Sequence, residues 1–207
     1  MLKLYGQYRS RTFRVCWLLK ESSIPYEHVN VTINVPNATA KEDWYCALNP
    51  NARIPTIDDD GFVMWESAAI NFYLAEKYKS PLFPTDMAGK GRALQWAYFI
   101  ANDVESNMVL VFLHRFRLPA EQRNPKLADE AEPKLLAKMK VLEEHLNKSP
   151  YFQGAQWGMT DFMVASVMYS LVEMNYDKLA QFPKLKAFLA ASAARPAALE
   201  AIKLRNS

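Results

Sequence analysis

The fold of this chain is decided by residues 49–78, which read NPNARIPTIDDDGFVMWESAAINFYLAEKY. Residues 54–58 and 62–65 are two short runs of β-forming side chains, and the Asp-Gly step between them predicts a tight turn. From residue 67 onward the apolar side chains recur at helical spacing, and Ser67 is expected to be the N-cap of that helix. The stretch therefore predicts strand, turn, strand and helix as one unit.

Two features of this unit point to a bound ligand. Pro55 interrupts a strand-like run, which predicts a sheet edge, a bulge or a cis bond, and a cis bond would free the backbone groups of Ile54. Glu66 and Ser67 place an acid and a hydroxyl at a helix N-terminus, where unpaired N–H groups favour anions. A ligand with a carboxylate for the N–H groups and an ammonium for Glu66 fits both features. A strand-edge proline and an ordinary N-cap would explain the same residues without a ligand.

The unit resembles the glutathione-binding half of cytosolic glutathione S-transferases in Asn49-Pro50, in Arg53-Ile54-Pro55, in the Asp-Gly turn and in Glu66-Ser67-Ala68-Ala69-Ile70. The likeness extends over the whole chain of 207 residues. It implies an N-terminal thioredoxin-like α/β domain followed by an all-helical C-terminal domain. It also implies a homodimeric transferase that takes glutathione as co-substrate and activates its thiol as a thiolate for attack on a hydrophobic electrophile.

The rest of the chain predicts a thioredoxin-like domain over residues 1–79, a linker over 80–89 and a helical domain over 90–207. Ahead of the central unit we expect a strand at 2–6, a helix at 11–22, a strand at 26–31, and a loop with a short helix at 35–48. Beyond it we expect helices at 91–117, 126–147 and 161–174, and two shorter ones opened by Pro183 and Pro196.

Two details of the second half are also predicted. Leu82 and Phe83 are too apolar for a free tether, so the linker is expected to dock against a domain. The helix at 161–174 is nearly all apolar and should be the buried central helix. Gly158 stands in its N-cap place, and Asp161 can accept the reciprocal hydrogen bond from the Gly158 N–H.

Composition excludes several classes of function. The net charge of +3 is too small and too scattered to predict nucleic-acid binding. No apolar run approaches the roughly 20 residues that a membrane span needs. Two cysteines cannot form a disulfide framework, so a reduced cytoplasmic setting is expected. The three histidines have no metal-ligand spacing, and no metal is predicted.

Ser10 is the candidate catalytic residue. It follows the first strand, precedes the first helix, and stands four positions before Arg14-Val15, the spacing of serine-type members of the resembled family. A thiol held there would feel the positive end of the helix and the nearby Arg11 or Arg14, both of which lower its pKa. The hydroxyl could donate a hydrogen bond to the thiolate. Helix capping by Ser10 is the alternative.

Other side chains near the first loop compete for this role. Tyr5 lies close to where tyrosine-type members of the family place a phenol, although packing within the first strand explains it better. Thr12 is a third hydroxyl within reach. Cys16 falls inside the helix rather than in the loop, which favours a small buried side chain over a thiol nucleophile.

The resemblance assigns further residues to glutathione. Arg53 is the natural partner of the glycine carboxylate, in a place where the family often has Lys. Lys41 is a further candidate, or else a surface lysine. Asp103, on the long helix, could reach a ligand bound to the partner subunit of a dimer, or it is one more acid on an exposed face.

The electrophile is expected to bind between the first loop and the long helix. The candidate residues are apolar or aromatic, as an oily acceptor needs, and each is equally suited to a core: Tyr8, Phe13, Val109, Phe112 and Phe116. Two other functions stay open. One is a non-catalytic protein of the same fold that binds ligands or partners, and the other is a glutathione-dependent isomerase or reductase, which the lack of a first-loop cysteine disfavours.

Overall fold

The computed structural model describes residues 1–34 and 39–207 as two compact units. The first unit comprises residues 1–83 and 194–207, and the second comprises residues 84–193. The last helix thus groups with the first unit by its contacts, whereas the sequence pattern placed it with the helical segment. The predicted domain boundaries stay a prediction.

The first unit is a mixed sheet with helices. Its strands are β1 (Leu2–Tyr5), β2 (Glu27–Val29), β3 (Ile33–Asn34), β4 (Thr39–Ala40), β5 (Thr56–Asp59) and β6 (Phe62–Trp65). Its helices are α1 (Phe13–Glu21), α2 (Asp43–Leu48), α3 (Ser67–Lys77) and the C-terminal helix, α9 (Pro196–Asn206). The four-stranded sheet has the order β2-β1-β5-β6. In it β1 pairs in parallel with β2, while β1 with β5 and β5 with β6 are antiparallel.

The sequence pattern anticipated most of these elements. It missed the short β3–β4 pair, because two-residue strands carry no periodicity of their own. The predicted loop around Pro36 falls in residues 35–38, which lie outside the described residues. The linker docks as expected, since Leu82 is buried and the Phe83 ring lies edge-on to Phe72 with centroids 6.1 Å apart.

The second unit is helical. It contains α4 (Met87–Phe99), α5 (Ser106–Phe112), α6 (Pro125–Leu146), α7 (Met159–Glu173) and α8 (Pro183–Ala193). Two π-helical segments, Ile100–Glu105 and Leu113–Arg117, extend α4 and α5 into one long helical run, and two short 3₁₀ turns lie at Ala120–Gln122 and Asp177–Gln181. The run begins at Met87, four residues before the predicted start. Asp86 provides the N-cap there by accepting a 2.8 Å hydrogen bond from the Gly89 N–H.

The buried central helix is confirmed as α7, in which nearly every side chain is buried. Gly158 is its N-cap, and the carboxylate of Asp161 accepts the predicted hydrogen bond from the Gly158 N–H at 3.1 Å. The same carboxylate accepts hydrogen bonds from the N–H groups of Phe152 (2.7 Å) and Gln153 (3.2 Å). Asp161 therefore joins the preceding loop to the start of the helix.

Asp59 is a buried carboxylate that the sequence pattern assigned only to a turn. It accepts hydrogen bonds from Lys77 Nζ (2.6 Å), the Tyr78 hydroxyl (2.9 Å) and the Tyr73 hydroxyl (3.0 Å). Burial alone would raise the pKa of Asp59, but the hydrogen bonds from these three groups together lower it below the usual value. The cluster fastens the end of β5 to the last turns of α3.

We expect Asp59→Asn to reduce the free energy of unfolding by roughly 2–3 kcal/mol at neutral pH, because hydrogen bonds to a charged acceptor are lost. The pKa of Asp59 is lower in the folded than in the unfolded chain, so its contribution is present above about pH 4 and is lost as the pH falls further. Urea unfolding of wild type and variant between pH 3 and pH 7 measures this.

The matched control is Asp60→Asn, at an exposed neighbour whose left-handed backbone (φ 54°) also suits Asn. It should change the stability little. An Asp59→Asn deficit that stays constant down to pH 3 would contradict the assigned role of the carboxylate.

Candidate functional site

A polar cleft lies between the loop before β5 and the start of α3. It has a volume of about 70 Å³. Its lining is drawn from the first unit alone: Arg11, Asn49, Asn51, Arg53, Ile54, Pro55, Glu66 and Ser67. We call it the cis-proline cleft. Five of the predicted site residues therefore meet in one place, namely Arg53, Ile54, Pro55, Glu66 and Ser67.

The loop before β5 carries the Ile54–Pro55 peptide bond in the cis form, one of the three geometries that the sequence allowed. The strand β5 begins only at Thr56, so Ile54 lies outside the ladder. Its side chain packs in a core cluster with Tyr5 and Tyr45. The side chain thus anchors the loop, while the backbone of Ile54 borders the cleft.

Two buried side chains fix the shape of this loop. The Tyr45 hydroxyl donates a 2.6 Å hydrogen bond to the Arg53 carbonyl, and the Asn49 amide donates one of 2.7 Å to the same oxygen. Both side chains also contact the Thr56 hydroxyl, at 2.8 and 3.2 Å. The sequence pattern included Asn49 without a role and missed Tyr45, because a tyrosine in a short helix carries no local signal of this long-range contact.

Glu66 is the N-cap of α3 and has a left-handed backbone, with φ 75° and ψ 107°. The prediction that Ser67 is the N-cap is wrong by one position, since Ser67 is the first residue of the helix and is buried. A non-glycine residue in this region costs on the order of 1–3 kcal/mol, and such residues cluster at ligand sites. The turn exposes the Glu66 side chain beside the unpaired N–H groups of the first helical turn.

The charges of the cis-proline cleft favour an anion overall. Its lining carries two guanidinium groups, from Arg11 and Arg53, and one carboxylate, from Glu66. The N-terminus of α3 adds partial positive charge. Sequence reasoning placed Arg11 only near a bound thiol, whereas the structure places it in the wall of the cleft.

Ser10 lies next to the cleft in the irregular turn Tyr8–Thr12 and has an extended backbone. Its hydroxyl accepts a 3.0 Å hydrogen bond from the Thr12 N–H and lies 2.6 Å from the Gln7 carbonyl, to which it donates. These contacts are those of a residue that caps the approach to α1, the alternative raised by the sequence. The neighbouring Arg11 borders the cleft, while Ser10 itself is not among the lining residues.

The competing side chains are more deeply buried than Ser10. The Thr12 hydroxyl is buried and lies 3.0 Å from the Ser10 hydroxyl. A Cβ on Gly6 (φ 133°) would collide with it, so this position requires glycine. Tyr5 packs against Trp44 and Tyr45, and burial raises the pKa of its phenol. Burial also raises the pKa of the Cys16 thiol, which is unfavourable for a nucleophile.

The remaining predicted residues lie outside the cleft lining. Lys41 is an exposed side chain. In the second unit Asp103 forms an ion pair with Lys138 at 2.8 Å, which gives it a partner within its own unit. Both assignments stay predictions.

The candidates for the electrophile pocket fall in both units. Phe13 and Phe112 are core side chains of the first and second unit, with exposed fractions of 2% and 3%. Tyr8 stacks on His28 with centroids 4.1 Å apart, and its hydroxyl bonds that of Tyr26. Val109 is half-buried and Phe116 is exposed. The pocket stays a prediction.

Within residues 1–34 and 39–207 no group of three or more His, Cys, Asp or Glu side chains is placed to hold a metal ion. Among the helices that they form, none has the length and apolar character needed to cross a bilayer.

The chain matches known proteins along most of its length. Residues 1–76 match the family model of the glutathione S-transferase N-terminal domain, and residues 102–196 match that of the C-terminal domain. Glutathione S-transferase F9 of Arabidopsis thaliana is 27% identical over 183 residues, which is 81% of this chain and 83% of that protein. Glutathione S-transferase hmp2 of Hypomyces subiculosus is 40% identical over 110 residues, but the match spans only 49% of this chain and 50% of that protein.

The fold of the chain also matches that of a solved structure. The theta class glutathione S-transferase of Xanthomonas axonopodis pv. citri, determined with glutathione bound, superimposes with a TM-score of 0.87. It is 25% identical in sequence, and the match covers 97% of this chain and 96% of that one. Because the two domain models together cover well over half of the residues, and the fold agrees throughout, the chain belongs to the glutathione S-transferase family.

Proposed function

We propose that this glutathione transferase holds the tripeptide in the cis-proline cleft and activates its thiol with the hydroxyl of Ser10. The observation that carries the proposal is the convergence on one cleft of the Ile54 backbone and the left-handed turn at Glu66. An extended peptide can pair with the backbone of Ile54. Its γ-glutamyl end, which has a carboxylate beside an ammonium, suits the α3 N-terminus beside Glu66.

Charge supports the same ligand. Glutathione has two carboxylates and one ammonium, so it carries a net charge of −1 while its thiol is neutral. The titratable groups in the lining of the cleft, Arg11, Arg53 and Glu66, sum to +1. The guanidinium of Arg53 is exposed and can bind the glycine carboxylate with two parallel hydrogen bonds. The lining and the bound ligand therefore sum to zero while the thiol is neutral, so a thiolate has to be stabilised by groups that lie beside the sulfur itself.

The chemistry follows from ionising the thiol. The thiol releases its proton to water, the sulfur attacks an electrophilic carbon of the acceptor, and a carbon–sulfur bond forms as a leaving group departs or a double bond takes up the electrons. Ser10 donates a hydrogen bond to the thiolate, and the N-terminus of α1 with Arg11 lowers the thiol pKa further. Holding both reactants together supplies the rest of the acceleration.

An isomerase or reductase that uses a protein thiol is less well supported. Such an enzyme needs a thiolate in the first loop, whereas Cys16 lies fully buried inside α1 and burial raises its pKa. The free thiols of Cys16 and Cys46 suit a cytoplasmic setting, in which we place the protein.

We also propose a homodimer. The strand β6 is an edge of the sheet, and it carries two large exposed aromatic side chains, Phe62 (51%) and Trp65 (38%). On α4, Leu94 and Tyr98 are exposed as well. An unpaired strand edge is a template for pairing with another chain, and exposed apolar surface gains from burial against a partner. A second copy of the chain is the partner that the family resemblance implies.

The first expected outcome concerns Ser10→Ala. It should raise the pKa of the bound glutathione thiol by about one unit, since one unit corresponds to ~1.4 kcal/mol, within the range by which a hydrogen bond to a charged group exceeds a neutral one. Turnover at neutral pH should fall, while glutathione affinity changes much less. Thiolate absorbance of the complex against pH, with a chromogenic acceptor assay beside it, measures both.

Ser10→Thr keeps the hydroxyl and is the matched control, which should retain a thiol pKa near that of the wild type. If Ser10→Ala leaves both the titration and the turnover unchanged, the role passes to Thr12 or Tyr5, and Tyr5→Phe is the next variant.

The second expected outcome concerns Glu66. Glu66→Ala should weaken glutathione binding by about 1.5–3 kcal/mol, because a charge-assisted hydrogen bond to the ammonium is lost. Calorimetry of the wild type and the variant measures the difference. Glu76→Ala, in the exposed last turns of α3, is the control and should bind normally. Absence of binding to the wild type at millimolar glutathione would refute the ligand assignment.

The third expected outcome concerns assembly. Sedimentation should give twice the chain mass of 23.7 kDa at micromolar concentration. Phe62→Asp together with Trp65→Asp should shift the protein toward the monomer, because charge is placed on the proposed interface. Leu199→Asp, on an apolar residue of α9 that is 54% exposed, should leave the mass unchanged. A wild-type monomer would rule out the dimer.

A further inference from the structure

The C-terminal helix α9 packs along the helix α1, which follows the turn Tyr8–Thr12. Arg195 forms a two-pronged ion pair with Glu21, with both nitrogen–oxygen distances at 2.8 Å. Lys20 and Glu200 form a second pair at 3.3 Å. The carboxylate of Glu21 is 6% exposed, so the first pair is well shielded from water and holds the start of α9 firmly.

The last turn of α9 brings Arg205 to the turn Tyr8–Thr12. Although charged, Arg205 is only 7% exposed. One nitrogen of its guanidinium lies 3.4 Å from the Tyr8 carbonyl and 3.4 Å from the Ser10 carbonyl. The guanidinium carbon lies 5.2 Å from the centre of the Phe13 ring, within the range of a cation–π contact. A buried charge is retained only with such partners, so the burial of Arg205 depends on the shape of this turn.

The turn Tyr8–Thr12 is also held in place by the side chain of its first residue, Tyr8. The Tyr8 hydroxyl lies 3.0 Å from that of Tyr26, and the Tyr8 ring stacks on His28 with an interplanar angle of 18°. Between Tyr8 and Thr12 the chain leaves helical geometry at Arg9 (ψ 35°) and Ser10 (ψ −163°). Arg205 thus contacts the Tyr8 carbonyl, which precedes the two non-helical residues, and the Ser10 carbonyl, which ends them.

We infer that Arg205 is a positioning residue for thiol activation: it holds the Tyr8 and Ser10 carbonyls so that the Ser10 hydroxyl faces a bound thiolate. The inference rests on the proposed role of Ser10. It makes the C-terminal helix part of the catalytic apparatus, although its residues lie some two hundred positions further along the chain and are absent from the lining of the cis-proline cleft.

The experiment compares three variants in the full chain. Arg205→Gln removes the charge, Arg205→Lys keeps it on a shorter side chain, and Lys203→Gln removes an exposed charge from the same helical turn as the control. Each is made in the wild type and in Ser10→Ala. The thiol pKa of bound glutathione, kcat, KM and the unfolding midpoint are measured for all of them.

We expect Arg205→Gln to raise the thiol pKa by about half a unit to one unit, which lowers the thiolate fraction roughly 3- to 10-fold at pH values below that pKa. The loss should fall on kcat, with KM for glutathione little changed. Arg205→Lys should lose less kcat than Arg205→Gln does, and Lys203→Gln should behave as the wild type. In Ser10→Ala the substitution should have no further effect on the thiol pKa, because the group that it positions is gone.

The contrary outcomes are distinct. If Ser10→Ala raises the thiol pKa and Arg205→Gln does not, Arg205 is structural and the inference fails while the proposed function stands. If Arg205→Gln acts equally in both backgrounds, Arg205 acts through its charge and not through Ser10, and the inference also fails. If Ser10→Ala changes nothing, the proposed role of Ser10 fails, and this inference fails with it. Should Arg205→Gln unfold, the same comparisons are decided by Arg205→Lys.

Discussion

The site depends on one buried arrangement of hydrogen bonds, in which Asn49 and Tyr45 both donate to the Arg53 carbonyl. This carbonyl immediately precedes Ile54 and the cis peptide bond. Because the same two side chains also contact the Thr56 hydroxyl, the loop is fixed at both of its ends. The backbone of Ile54 can then face a ligand, although it is not held in place by the hydrogen bonds of the sheet. Any other shape of the loop would give up these hydrogen bonds to the Arg53 carbonyl, so the loop has little freedom to adopt one.

The elements that the sequence predicted well are those with a local cause. The strand–turn–strand–helix unit follows from side-chain alternation and from Gly61, which takes the positive φ of the turn. The buried helix α7 follows from its continuous apolar run, and its capping by Gly158 and Asp161 follows from a spacing of three residues. The family resemblance then placed Arg53, Ile54, Pro55, Glu66 and Ser67 at one site, and these five residues do line one cleft.

The features that the sequence did not predict have distant causes. Arg205 contacts a turn 195 positions earlier, and Asp59 gathers donors from the far end of α3. Neither contact leaves a periodic pattern, because it depends on how the elements pack rather than on the residues beside it. The one-residue error at Ser67 has a local cause instead. Serine is the better N-cap by preference, but the left-handed turn at Glu66 moves the cap back by one position.

The hydroxyl of Ser10 has a single hydrogen, and this limits what it can contribute to a thiol. In the structure that hydrogen has an acceptor already, the Gln7 carbonyl at 2.6 Å. A neutral hydrogen bond contributes about 1 kcal/mol net, whereas one to a charged group contributes about 1.5–3 kcal/mol. A neutral thiol therefore cannot draw the hydroxyl away from Gln7, but a thiolate can. The capping role and the activating role of Ser10 are then compatible: the hydroxyl caps the turn until the ligand ionises, and only the difference between the two bonds lowers the thiol pKa.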